Sequence, residues 1–286
     1  GDIMLGRYVD KRIKAYDAKR GDNIAPIMDS GVRSIIQMAD IAAGNLESPL
    51  SSSGVHDNLG IVFNADAQYA NRLYSAGFDI LSTANNHAAD IGVKGVGSTI
   101  LALQNSSILP VGTNFKPDEV GDTLNCHEGQ IIHAKGYNVG FLAYSYTEYN
   151  DGGASPGPDV CDWNDFDTVE ADLSSLRKKS DYVIVMVHTG VENSRAPTIA
   201  DEEKFKKLVD LGATAVIGHH PHVLGGVELY NGGVIAYSMG NFIFDQIEPE
   251  QKASAILQID IDSKSTLSYK LIPIKIEDLC CPKLLN

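Results

Sequence analysis

The chain has 286 residues, 43% of them hydrophobic, which is enough apolar material for a sizeable buried core. Its formal net charge of −14 argues against nucleic acid and anionic membrane surfaces as main partners, since both would repel it. No apolar run reaches the roughly 18 residues of a membrane-spanning helix, and Asp2 and Arg7 interrupt any signal-peptide core at the start.

In chain order, GDIMLG reads as the end of a strand whose first half lies upstream. A longer precursor with an export signal or anchor is expected there. Residues 24–40 read as a helix, and residues 41–47 as a strand with its exit loop. A helix over 64–77 stops at Gly77; a strand over 78–87 runs into a polar loop. Residues 95–105 are helical and 108–114 strand-like. This βα alternation predicts parallel pairing with crossover helices. The middle differs: 130–146 is two apolar runs around a turn signal at Lys135-Gly136, a hairpin. Residues 150–159 form a Gly/Pro loop, read as a surface excursion near the site. A helix over 165–179, a strand over 181–188, a helix over 201–211 and a strand into loop over 215–222 follow. A second hairpin spans 227–242 around Asn231-Gly232-Gly233, and strands at 253–262 and 266–276 close the chain. The four cysteines, Cys126, Cys161, Cys280 and Cys281, have no CxxC or zinc-finger spacing, so free thiols or one incidental bridge are expected.

One arrangement repeats: an apolar strand ends and potential ligands follow at once. It occurs at Gly1-Asp2, at Gly44-Asn45-Leu46-Glu47, at Asn85-Asn86-His87, at His188-Thr189-Gly190-Val191-Glu192 and at Gly218-His219-His220-Pro221-His222. Sites in open α/β sheets form at the carboxyl ends of strands, so five clusters on neighbouring strand ends would converge on one crevice. This convergence predicts one α/β domain over 1–286. Imidazole and carboxylate groups suit a divalent cation, with zinc, manganese, iron and magnesium all open. Each residue also has a bland reading: His188 as a hydrogen-bonded core residue, Asn85 and Asn86 as a turn, Glu47 as a solvated loop residue, Arg7 as a solvated first-helix residue. It is their joint occurrence that favours a metal centre. His127 and His133 fall outside the pattern and read as structural or surface residues; His56 is a weak candidate on a loop.

GDIMLGR, GNLESPL, NNHAADIG, HTGVE, GHHPHV and YSMGNFIFD, in this order, resemble the bacterial capsule-synthesis proteins of the poly-γ-glutamate type, over about Gly1 to Asp245. That family is itself similar to the calcineurin-like metallophosphoesterases. The resemblance implies a metallophosphoesterase-like sandwich of two mixed β-sheets flanked by helices, with one or two divalent ions at the strand ends. It implies Asp2, Glu47, Asn86, His188, His220 and His222 as metal ligands and His87 as a general acid. Three departures stand out. Met4 occupies the place of a histidine, Asn45 and Glu47 stand where a bridging aspartate is usual, and Thr189 replaces a tryptophan.

Three functions remain open. One is a metal-dependent hydrolase or transferase acting on a phosphoester or on the amide of an anionic polymer, with Arg7 steadying developing negative charge. The second is a component of a polyglutamate synthesis or export complex that binds polymer through the cation, alongside membrane components. The third is a scaffold with a decayed site. The resemblance places the protein at the cell envelope, on the extracellular face, anchored by an upstream segment.

Overall fold

A computed structural model describes residues 1–20, 27–52, 61–116, 123–146, 159–261 and 267–285. The expected loop at 150–159 and His56 lie outside these, apart from Asp159.

The first βα units build a five-stranded sheet. Its strands are β1 (Asp2–Ile3), β2 (Ala43–Leu46), β3 (Ile80–Ser82), β4 (Leu109–Val111) and, from much later, β11 (Asn241–Ile243). Their spatial order is β11-β1-β2-β3-β4, and every pair is parallel. The crossovers are α1 (Arg7–Arg20), α2 (Ser30–Met38), α3 (Tyr69–Ala76) and α4 (Gly92–Asn105). The second helix begins later than its apolar pattern suggests because Asp29 caps it, accepting from the Val32 N–H at 2.7 Å. Helix α3 stops at Gly77, whose φ of 108° only glycine adopts without strain.

The second sheet is mixed. It contains β5 (Gln130–Ala134), β6 (Tyr137–Ser145), β7 (Tyr182–His188), β8 (Ala215–His219), β9 (Val227–Tyr230) and β10 (Gly233–Ala236), in the order β5-β6-β7-β8-β10-β9. Both outer pairs are antiparallel hairpins. Their two-residue turns put Lys135 and Gly136, and Asn231 and Gly232, at positive φ. That geometry matches the natural twist of the strands and explains the turn signals. Helices α5 (Phe166–Arg177) and α6 (Ile199–Asp210) pack on its outer face. The chain ends, after the short α7 (Pro249–Lys252), in a third sheet of β12 (Ala253–Ile261), β13 (Leu267–Glu277) and β14 (Cys281–Leu284).

Between the two main sheets, Ile80, Ala84 and Val111 of one meet Phe141, Ala143 and Met186 of the other in one buried cluster. The sheets pack tightly at Gly112, at φ 96°, where a Cβ would lie 2.6 Å from that of Ala84 and 2.8 Å from that of Ala143. This seam carries the strand ends described next. The cysteines differ from expectation: Cys126 is bonded to Cys161 and Cys280 to its neighbour Cys281, so none is free.

Gly112→Ala should cost about 2–4 kcal/mol, from overpacking and left-handed backbone together. Gly92→Ala, also at positive φ but with nothing within 4 Å of the new Cβ, should cost about 1 kcal/mol. Denaturant midpoints of the two variants check the difference; equal losses would show that the seam is not tightly packed.

Candidate metal centre

The two main sheets bring different chemistry to their shared edge. From the parallel sheet come carboxylates and amides. Asp2 lies in β1, opposite Asn45 of β2, and Glu47 follows β2 directly. Asn85, Asn86 and His87 follow β3. From the mixed sheet come imidazoles. His188 ends β7 and pairs with His219, which ends β8; His220 and His222 follow. All of these side chains are buried.

Asp2 is richly satisfied. Its Oδ1 accepts from the Asn45 Nδ2 at 2.9 Å and from the His219 Nδ1 at 3.1 Å. Its Oδ2 accepts from the His220 backbone N–H at 3.3 Å and lies 3.4 Å from the His222 Nδ1. Burial pushes its carboxyl up, but the contacts with His219 and His222 outweigh this and hold it well below the usual carboxylate range.

Glu47 is the opposite case. It is fully buried, yet neither carboxylate oxygen has a hydrogen-bond donor among the described residues. Its Oε1 faces the His222 Nε2 at 3.6 Å and the His188 Nε2 at 3.9 Å. Burial holds the Glu47 carboxyl well above its ordinary range, against the charge of His222, and Asp2, Glu192 and Asp90 add to the upward push. A buried carboxyl without a donor is costly unless a cation or proton faces it. The donor set of Asp2, Glu47 and His188, whose ligating atoms lie within 4.8 Å of one another, fits a divalent cation.

The imidazoles are tuned in two ways. Burial, and then the neighbouring His220, push His188 well below its ordinary value. Burial, and then His222, push His220 down to about 3. Both rings are therefore neutral near pH 7, the form that binds metals. Burial also pulls on His222, but Glu47 and Asp2 outweigh it and hold this ring up at about 9. His222 Nδ1 donates to the Asn241 Oδ1 at 2.9 Å, and His188 Nε2 sits 2.9 Å from the Asn86 Oδ1. His220 and His222 stand at positive φ, 97° and 60°. Strain of that kind, of order 1 kcal/mol or more per residue, persists where the surroundings enforce it.

His87 is set apart by its partner. Its Nδ1 donates to the Asp90 Oδ2 at 2.7 Å, which fixes the tautomer and leaves Nε2 as the other ring nitrogen. Its ring lies on Phe63, with centroids 3.9 Å apart. Arg7 is further out. It pairs with Asp245 at 3.0 Å, and its guanidinium carbon lies 5.5 Å from the centroid of the Phe63 ring. Arg7 and His87 both approach Phe63. The structure brings together Asp2, Glu47, Asn86, His87, His188, His220 and His222, and leaves Arg7 at the rim.

The profile of the family described as bacterial capsule synthesis protein PGA_cap matches residues 1–246. The chain belongs to that family. It is 31% identical to the PGA biosynthesis protein CapA of Bacillus subtilis over 97% of its length, covering 70% of that protein. It is 30% identical to the capsule biosynthesis protein CapA of Bacillus anthracis, again over 97% of its length and covering 66% of that protein. The chain thus spans about two thirds of each relative. In fold it is similar to a phosphatase of Mycoplasma pneumoniae (TM-score 0.56, 13% identity, 87% of this chain and 90% of that one). It is also similar to the NAD nucleotidase of Haemophilus influenzae (TM-score 0.51, 12% identity, 90% of this chain and 52% of that one). The two-sheet arrangement is metallophosphoesterase-like, with strand mixing confined to the second sheet.

Three residues that touch the candidates carry no role in the sequence reading. His219, Asn241 and Asp90 all touch candidate residues. The signals were present: a third histidine beside two others, an asparagine in YSMGNF, and an aspartate three residues after His87. Met4, which stands where a histidine was looked for, is core: it is fully buried and its sulfur accepts from the Gly6 N–H at 3.1 Å.

In chelator-treated protein, the raised His222 should make stability pH-dependent. Its folded value, about 9, exceeds the ordinary 6.5, so the folded state holds the proton more tightly. The stabilisation is complete below pH 6.5 and is lost as pH rises through 9, on the order of 3 kcal/mol in all. Thermal melts between pH 6 and 10 should show this fall, and His222→Gln should flatten it.

Proposed function

We propose that this chain serves capsule polymer synthesis at the cell envelope through a divalent-cation-dependent hydrolytic site. The observation that carries this is Glu47: a fully buried carboxylate with no donor on either oxygen among the described residues, facing His188 and His222. Asp2, Glu47, Asn86, His188, His220 and His222 would hold one or two ions of manganese, zinc, iron or magnesium. When bound, such a cation lowers the pKa of a water molecule and polarises a phosphoryl or carbonyl oxygen.

The chain's own residues supply the rest. Asp90 accepts the Nδ1 proton of His87, so Nε2 is the nitrogen that delivers a proton to a leaving group. Phe63 excludes water from one face of that ring and holds its angle. Arg7 would steady anionic charge at the rim after release from Asp245; in its observed place it supports Phe63. His219 and Asn45 orient Asp2. All of these groups converge from residues 2 to 245, which favours one domain for the whole reading.

The substrate reading is an anionic polymer of the poly-γ-glutamate kind, or a phosphorylated compound. A second reading, polymer binding without turnover, is favoured by charge. A protein of net charge −14 repels a polyanion, and a bound cation would offset that repulsion locally. Membrane components of a capsule complex are the expected partners in either case.

Purified protein soaked in Mn²⁺ should retain stoichiometric metal and hydrolyse a generic phosphodiester or poly-γ-glutamate, assayed in parallel. His87→Ala should lower kcat about 10²–10³-fold with metal content unchanged. His188→Ala should lose metal. Absence of bound metal after soaking would sink the reading. Bound metal with cation-dependent retention of poly-γ-glutamate but no cleavage would shift it to the binding role.

A further inference from the structure

A second cluster of ligand atoms lies beside the first, and it includes a residue so far without a role. Glu192, on the loop between β7 and α6, offers a carboxylate oxygen within 4.8 Å of ligand nitrogens of His220 and His222. Both histidines are buried, whereas Glu192 is solvent-exposed. Ligand atoms on one cation at about 2.0–2.3 Å lie roughly 3–4.5 Å apart, so this spacing needs only a small side-chain adjustment.

The placement of Glu192 is built by the backbone. The neighbouring Asn193 N–H donates to the carbonyl of Pro221 at 2.8 Å, and Pro221 is the residue between the two histidines. Gly190, at φ 112°, lies against the same proline; a Cβ there would be 3.2 Å from the Pro221 Cγ. The Asn193 side chain is held in turn, its Oδ1 accepting from the Gln251 Nε2 at 2.8 Å. The loop that carries Glu192 is thus tied to the segment that carries His220 and His222 at two points.

The two clusters are also contiguous. Glu47, the bare carboxylate of the first, lies 3.6 Å from the His222 Nε2 of the second and 3.9 Å from His188. The rings of His188 and His220 have centroids 4.9 Å apart. One carboxylate therefore faces both groups. The other ligand-like group, Cys126, His127 and Cys161, offers nothing comparable, because its two sulfurs are bonded to each other.

We propose that Glu192 is a ligand of a second cation position, with His220 and His222, adjoining the position formed by Asp2, Glu47 and His188, and that Glu47 faces both ions. This inference rests on the metal-dependent reading above. It makes Glu192 the solvent-side ligand, so the second ion would be the more exchangeable of the two and the one nearer an incoming substrate.

The test is titration of the full, metal-stripped chain with Mn²⁺, followed by calorimetry and by electron paramagnetic resonance of the bound ion. The wild-type chain should bind two equivalents with a spin-coupled signature. Glu192→Gln should keep one tight equivalent, weaken the second by more than the roughly 10–100-fold typical of outer-shell changes, and lose the coupled signal. Glu192→Asp should restore part of the second site. Glu47→Gln should weaken both. Melting curves of the metal-free variants verify folding; Glu192 is exposed, so its replacement should leave them unchanged. Two equivalents bound equally by wild type and Glu192→Gln would overturn the inference and leave the metal-dependent reading standing. A single equivalent in wild type would do the same. No binding at all would overturn both.

Discussion

The constraint on which the rest of this molecule depends is the burial of two acidic side chains, Asp2 and Glu47, at the seam between two sheets. Removing a carboxylate from water costs several kcal/mol even after the protein relaxes around it. Asp2 recovers that cost through donors from both sheets: Asn45 on one side, His219 and the His220 backbone on the other. Glu47 recovers none of it from hydrogen bonds among the described residues. A fold that carries such a group must draw on surplus stability elsewhere or on something that binds there. The large apolar clusters on either side of the seam provide the first. The histidines facing Glu47 point to the second.

Asn45 clarifies how the charge is distributed. It stands opposite Asp2 in the parallel sheet, donates to Asp2, and lies 3.2 Å from the His188 Nδ1. A carboxylate in this position would press against Asp2 and add a third negative charge to the same dry space. The amide instead serves as donor, and the second negative charge moves to Glu47, where the imidazoles of the mixed sheet can face it. Asn85 completes the arrangement. Its Nδ2 donates to the Leu46 carbonyl at 2.8 Å and its Oδ1 accepts from the His87 N–H at 3.1 Å. Asn45 and Glu47 thus divide the donor and acid roles beside Asp2, and Met4 belongs to the core and not to the site.

Much of this was legible in the chain, and the reasons are physical. The hairpins at Lys135-Gly136 and Asn231-Gly232 are local: the turn needs positive φ, and the residue types supply it. The parallel units are legible from alternation, and the strand-end clusters from their polarity after apolar runs. What escaped was non-local or weakly patterned. Strand β11 is three residues long and joins β1 from the far end of the sequence, a pairing no window reveals. Helix α1 carries charges around much of its circumference (RYVDKRIKAYDAKR), so its apolar stripe is faint. The pairing of Cys126 with Cys161 spans 35 residues and depends on how β6 and its neighbours fold. His219 stands in the strand-end cluster of the sequence, but its role as the partner of Asp2 depends on how the two sheets dock.

The division of chemistry between the sheets has a consequence for how the centre is held. The parallel sheet alone would present Asp2, Asn45, Glu47 and Asn86 as an acidic, amide-rich edge, and the mixed sheet alone would present His188, His219, His220 and His222. Neither half is a site. The halves meet only because apolar side chains behind them, Ile80 and Val111 against Phe141 and Met186, lock the two sheets in register. A cation gripped by both edges would reinforce the same docking, since anything that binds only the assembled seam stabilises it by mass action. The contacts Asp2–His219, Glu47–His222 and Asn86–His188 all cross the seam. The apolar core and the polar centre are therefore two faces of one interface, and a change to either should be felt in the other.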